Sequence, residues 1–105
     1  LLSTPTIAKL TIDAISAEGQ TFVIELEVGT PYQRETGEWA CPVALNGLHE
    51  HLREIRGENS FQAICLAIRL AQEMLTDFRE KGGKLLVDGD DFPLEAYSFK
   101  SPIRH

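Results

Sequence analysis

The sequence predicts a small α+β domain. An antiparallel sheet of about four strands in meander order carries one long helix across one face, and one or two short strands follow. Three observations predict this. Before residue 57, apolar and polar residues alternate in short runs, the period of half-buried strands. From Ser60 to Gly83 the period becomes helical, with no interior Pro or Gly until Gly82-Gly83. The chain has 105 residues, room for one core and not for two, so 1–105 is expected to form a single domain with 1–5 and 101–105 frayed.

Thr6 to Ala14 places Ala8, Leu10 and Ile12 on one face and Lys9, Thr11 and Asp13 on the other. Ala17-Glu18-Gly19-Gln20 supplies a turn. Thr21 to Val28 then buries Phe22, Ile24, Leu26 and Val28 and exposes Glu25 and Glu27, which completes a hairpin. Gly29 to Gly37 is a long polar connection. Loops of that length carry binding residues more often than their scaffolds do, and Tyr32 and Arg34 are its candidate ligand-contacting side chains. Glu38 to Asn46 is the third strand, with Trp39, Cys41, Val43 and Leu45 sharing a face. Pro42 cannot donate to a ladder, so this strand is expected to be an edge or bulged there. Asn46-Gly47 is a turn, and His51 to Arg56 is the fourth strand.

Asn59 or Ser60 caps the helix, Lys81 suits its C-terminal dipole, and Gly82-Gly83 end it. Such a rod is about 30 Å long, enough to cross a small sheet. Ile64, Ile68, Ala71, Leu75 and Phe78 form the expected sheet-facing stripe, extended by Phe61 and Cys65. Leu66, Leu70 and Met74, with Ala63 and Ala67, continue the apolar arc round the helix. One sheet needs an arc little wider than 100°. Leu66, Leu70 and Met74 are therefore the expected interface residues, covered by a second copy of the chain or by the segment Phe92 to Phe99 folding over. After the helix, Lys84 to Val87 reads as a short strand, Asp88-Gly89-Asp90-Asp91 as a turn and Phe92 to Phe99 as a last strand-like segment.

Composition excludes several classes. A net charge of −6 with no Lys/Arg-rich block argues against nucleic acid. No apolar run approaches the ~20 residues of a membrane span. The N-terminus has neither the basic nor the long apolar region of a signal peptide, and two cysteines outside any C-x-x-C pattern fit a reducing, cytoplasmic setting. His49 and His51, two apart, would share one face of a strand. They are weak candidate metal ligands, because no third ligand is implied by spacing. Asp88-Gly-Asp90-Asp91 lacks the spacing and terminal Glu of an EF-hand. No phosphate-binding, nucleophile-elbow or zinc-protease motif occurs, so no catalytic residue, metal or cofactor is expected.

The Trp39-x-Cys41 strand and the helix start Gly57-Glu-Asn-Ser60-Phe-Gln62-Ala63-Ile-x-Leu66-Ala67 resemble a family of short bacterial domains of unknown function. The resemblance covers Thr6 to Gly83. Its motif is structural in character (turn, cap and helix packing), and it implies no activity. Small acidic domains of this look include toxin-neutralising immunity proteins, an analogy of class. The expected function is a non-enzymatic interaction module, a homodimer or a partner of another protein, immunity-like or regulatory. The alternative is a small-ligand or metal-binding protein using residues 29–37 and the His49/His51 pair.

Overall fold

The computed structural model describes residues 2–49 and 53–97. One antiparallel sheet of seven strands carries one long helix. The strands are β1 (Thr6–Ile15), β2 (Thr21–Gly29), β3 (Tyr32–Gln33), β4 (Trp39–Asn46), β5 (Arg53–Gly57), β6 (Lys84–Val87) and β7 (Asp90–Asp91). The helix α1 is Ser60–Glu80, and a 3-10 turn spans Leu94–Tyr97. From one edge the order is β5, β4, β2, β1, β6, β7, and β3 shares β4's edge with β2.

The expected meander of about four strands is present as β1, β2, β4 and β5, but it undercounts the sheet. Two residues of the polar connection, Tyr32 and Gln33, pair with Ala40 and Trp39 as β3. The two short strands after the helix also join the sheet, β6 beside β1 and β7 beside β6. β5 begins at Arg53, and residues 50–52 of the expected fourth strand lie outside the described residues. The expected frayed tail, 101–105, also lies outside them.

Pro42 is not bulged: it pairs opposite Glu54 of β5, and on its other side β4 is locally an edge, as expected. β4 pairs with β3 through Trp39 and Ala40 and with β2 from Val43 onward, so Pro42 falls in the interval between two partners on that side. A residue without an N–H costs least where the ladder is already interrupted. The face of β4 away from the helix is buried as well: Ala40, Pro42 and Ala44 are all inaccessible. The N-terminal segment crosses it. A Cβ on Gly29 would lie 2.8 Å from Thr4 Oγ1 and 3.3 Å from Pro42 Cβ.

The helix is turned from the expected orientation. Its buried stripe is Ala63, Ala67, Ala71 and Leu75, at a strict spacing of four. Ile64, Leu70, Met74 and Phe78 pack beside it against the core of Ile12, Ile24, Val43, Leu45 and Leu85. Ile68 is only half-buried and Phe61 is 73% exposed. The reason is close approach. Gly57 of β5 lies under the helix start, where a Cβ would sit 2.7 Å from the Ala63 backbone nitrogen. Small residues let the first three turns lie tight on β4 and β5. Larger ones take the flanks, as in the edge-on pair of Phe22 and Phe78, 5.7 Å between centroids at 88°. Asn59 is the N-cap, accepting from Gln62 N at 2.8 Å, and Lys81 the C-cap, followed by Gly82 at φ +101°.

The segment after β7 is not a strand. Pro93 has no N–H to donate, and the chain coils into the 3-10 turn with Phe92 and Leu94 buried. Residues 98 and 99 of the expected segment lie outside the described residues. β1 meets β6 only through Asp13, Ala14 and Ile15. Thr6–Ile12 therefore has no strand on that side among the described residues, and its pairing with β2 shifts register at Ile7. Among the described residues no helix is long and apolar enough to cross a membrane.

Candidate functional site

The three expected interface residues part company. Leu70 and Met74 are half-buried and pack against the core. Leu66 lies higher on that shoulder, half-buried and outside the core contacts. The opposite shoulder carries Phe61, Cys65 and Ile68, spaced four and three apart so that they form one row. Phe61 projects from the first turn of the helix into solvent.

That row borders an open groove of about 1010 Å³ between the helix and the 3-10 turn. Cys65, Leu66, Ile68 and Leu94 supply its apolar part. The turn is tied to the helix beside it. Arg79 Nη2 donates to Glu95 Oε2 at 2.5 Å, and Gln72 Nε2 donates to the Tyr97 carbonyl. The hydrogen bond from the Arg79 guanidinium holds the Glu95 carboxyl below the usual carboxylate range. Tyr97 stacks on Phe92 at 5.0 Å and remains 51% exposed. So the described part of the C-terminal segment, as far as Tyr97, is tied to the Gln72–Arg79 flank of the helix.

Tyr32 and Arg34 are brought together on the far face of the sheet, and they find a partner that sequence spacing did not suggest. Tyr32 Oη donates to Glu54 Oε2 at 2.5 Å, and Arg34 Nη1 donates to Glu54 Oε1 at 3.3 Å. Ser3 Oγ reaches the same carboxylate at 3.5 Å. The hydrogen bond to Glu54, then burial, raises the Tyr32 phenol above the ordinary tyrosine value. Arg34 Nε is buried without a hydrogen-bond partner among the described residues.

His49 lies beyond the other end of β4 from this cluster, so residues 29–37 and the histidine do not form one site. His51 lies outside the described residues. Among the described residues no group of three His, Cys, Asp or Glu side chains could hold a metal ion. Cys41 and Cys65 are both free thiols. Cys41 is buried in β4, where desolvation pushes its thiol up and Sγ donates to the Gly29 carbonyl at 3.4 Å.

One family model matches the chain over residues 10–95, which takes in the sheet from Leu10 of β1 onward, the helix and the first half of the 3-10 turn. The chain belongs to the family described as domain of unknown function DUF6968. The DUF6968 match covers the Trp39-x-Cys41 strand and the capped helix start. It carries no activity to either surface. No curated protein and no solved structure is significantly similar to the chain.

Proposed function

We propose that this DUF6968 domain is a non-enzymatic protein-interaction module that pairs with a second copy of itself through the row Phe61, Cys65 and Ile68 and the adjoining 3-10 turn. Phe61 carries the reading. A phenylalanine left 73% exposed on a rigid helix forgoes most of the ~1.5–3 kcal/mol that burial of such a side chain supplies. Tyr97, 51% exposed at the end of the 3-10 turn, adds a second exposed aromatic ring. Leu66 also lines this groove, on its side away from Phe61, and contributes less apolar area to it than the exposed Phe61 does.

Sedimentation velocity over a concentration series tests this. The expected result is a dimer for the wild type and a monomer for Phe61→Asp, with equal melting temperatures at dilutions where both are monomeric, because residue 61 is outside the core. Leu66→Asp is expected to leave the dimer weakened by less. A wild type that stays monomeric throughout, or a Phe61→Asp dimer of undiminished affinity, contradicts the reading.

A second reading rests on Arg34. Its buried, unpartnered Nε beside Glu54 favours a small-ligand site on the far face of the sheet. A screen of anionic metabolites that produces no shift in melting temperature counts against it.

A further inference from the structure

Residues 2–5 form no strand, yet they lie across the face of the sheet opposite the helix. The surface under them is a shelf of small residues. Gly29 ends β2, and Ala40, Pro42 and Ala44 line β4; all are buried. The fit is close. A Cβ on Gly29 would stand 2.8 Å from Thr4 Oγ1, 3.2 Å from Leu2 Cδ1 and 3.3 Å from Pro42 Cβ.

The contacts of this strap are those of a bound extended peptide: an apolar side chain on a floor, and hydrogen bonds at fixed points beside it. Leu2 supplies the apolar contact. Thr4 Oγ1 donates to the Thr30 carbonyl at 2.7 Å. The Pro5 carbonyl accepts from the Thr30 backbone N–H and from Thr30 Oγ1, both at 2.8 Å. Ser3 Oγ reaches Glu54 on β5 at 3.5 Å. Pro5 keeps the residue before it extended, so a Thr-Pro segment arrives with the backbone shape that the shelf needs.

The strap is also held lightly. Ser3 and Pro5 are exposed, and Leu2 and Thr4 are half-buried. Of the hydrogen bonds just given, one alone joins backbone to backbone. The shelf lies within residues 10–95, the part of the chain that the family model matches, and the strap lies outside it.

We propose that the shelf is a docking site for an extended segment of a partner protein, of the pattern apolar–x–Thr–Pro, and that residues 2–5 are its built-in, displaceable occupant. The proposal is independent of the dimer reading, because the Phe61 row belongs to the helix and the shelf lies on the opposite face of the sheet.

The test is a titration of the isotopically labelled full chain with the capped peptide acetyl-Leu-Ser-Thr-Pro-Thr-amide, followed by backbone amide shifts. It is run on the wild type and on a variant with a loosened strap, Leu2→Gly with Thr4→Val. The expected result is a saturable response at Thr30, Ala40, Glu54 and their neighbours, with the helix signals unmoved. The loosened variant should bind at least about five-fold more tightly than the wild type, because its own strap no longer competes. A peptide with Val in place of its first Thr should bind about threefold more weakly. Gly29→Ala fills the floor of the shelf and should remove the response in both backgrounds. If the loosened variant does not fold, the wild type with and without Gly29→Ala decides alone. No saturable response in either background, equal affinity in the two, or binding that survives Gly29→Ala would each overturn the proposal. So would a loosened variant that pairs with a second copy and takes no peptide.

Discussion

Tyr32 and Glu54 show what a single contact can and cannot do here. The phenol donates a hydrogen bond to a carboxylate two strands away, and that bond holds the phenol's ionisation above its ordinary value of 10.0. The folded pKa is therefore the higher one. The stabilisation is fully present below pH ~10 and is lost as pH rises through the folded value. Tyr32→Phe is expected to lower the urea midpoint at pH 7 and to match the wild type more closely at pH 11. A gap that stays constant or widens at pH 11 would contradict this. The pair was not legible in the sequence. Tyr32 and Glu54 are 22 residues apart, and they meet only because β3 and β5 flank the N-terminal half of β4. Register across three strands is not written in the spacing of any one of them.

At the scale of elements, the helix was the easiest feature to find and the easiest to misorient. Its bounds follow from Asn59 as cap and Gly82 in the left-handed region. Its rotation does not follow from the large side chains. A stripe of Ile and Leu looks like the natural sheet-facing side, yet alanines make the closest contact because they let the backbone approach. The large residues then fill the flanks. Ala67→Leu should accordingly cost about 1–3 kcal/mol by overpacking a fully buried site. Phe61→Ser should shift stability by no more than about 0.5 kcal/mol when measured on the monomer at low concentration. Chemical denaturation of both variants checks the orientation, and the opposite ranking would refute it. The 3-10 turn was hidden for another reason. Pro93 cuts an apolar run that otherwise resembles a strand, and Leu94 is drawn into the core without any pairing.

For the whole molecule, the order of elements along the chain sets an order of assembly. β4, β5 and α1 are consecutive and pack on one another, locked at Gly57 and Ala63. The β1–β6 pairing instead joins Asp13 to Leu86, across most of the chain. Loop-closure entropy is repaid late for such distant contacts. Ile55→Val in β5 should therefore act mainly on the refolding rate, and Leu85→Ala in β6 mainly on the unfolding rate. Stopped-flow measurements that show the reverse partition would exclude this order. The alternating strands before residue 57 made the class of fold visible at the outset, because one buried face imposes its period on the sequence. The groove, the shelf and the Glu54 cluster are each assembled from elements distant in the chain, and no local pattern announces them.

The unpaired side of β1 has a consequence for solubility. A strand edge without a partner invites sheet-to-sheet growth between molecules, and among the described residues this one is seven residues long, Thr6 to Ile12. Two copies meeting about a two-fold axis at the midpoint of that stretch would set Lys9 opposite Lys9, and the register shift at Ile7 spoils the pairing further. Lys9, which also makes a surface ion pair with Glu25 at 3.9 Å, is thus expected to disfavour such growth. Lys9→Val should leave folding intact and yet produce particles larger than any wild-type species in concentration-dependent light scattering. Scattering identical to the wild type at every concentration would show that the edge is guarded by something else.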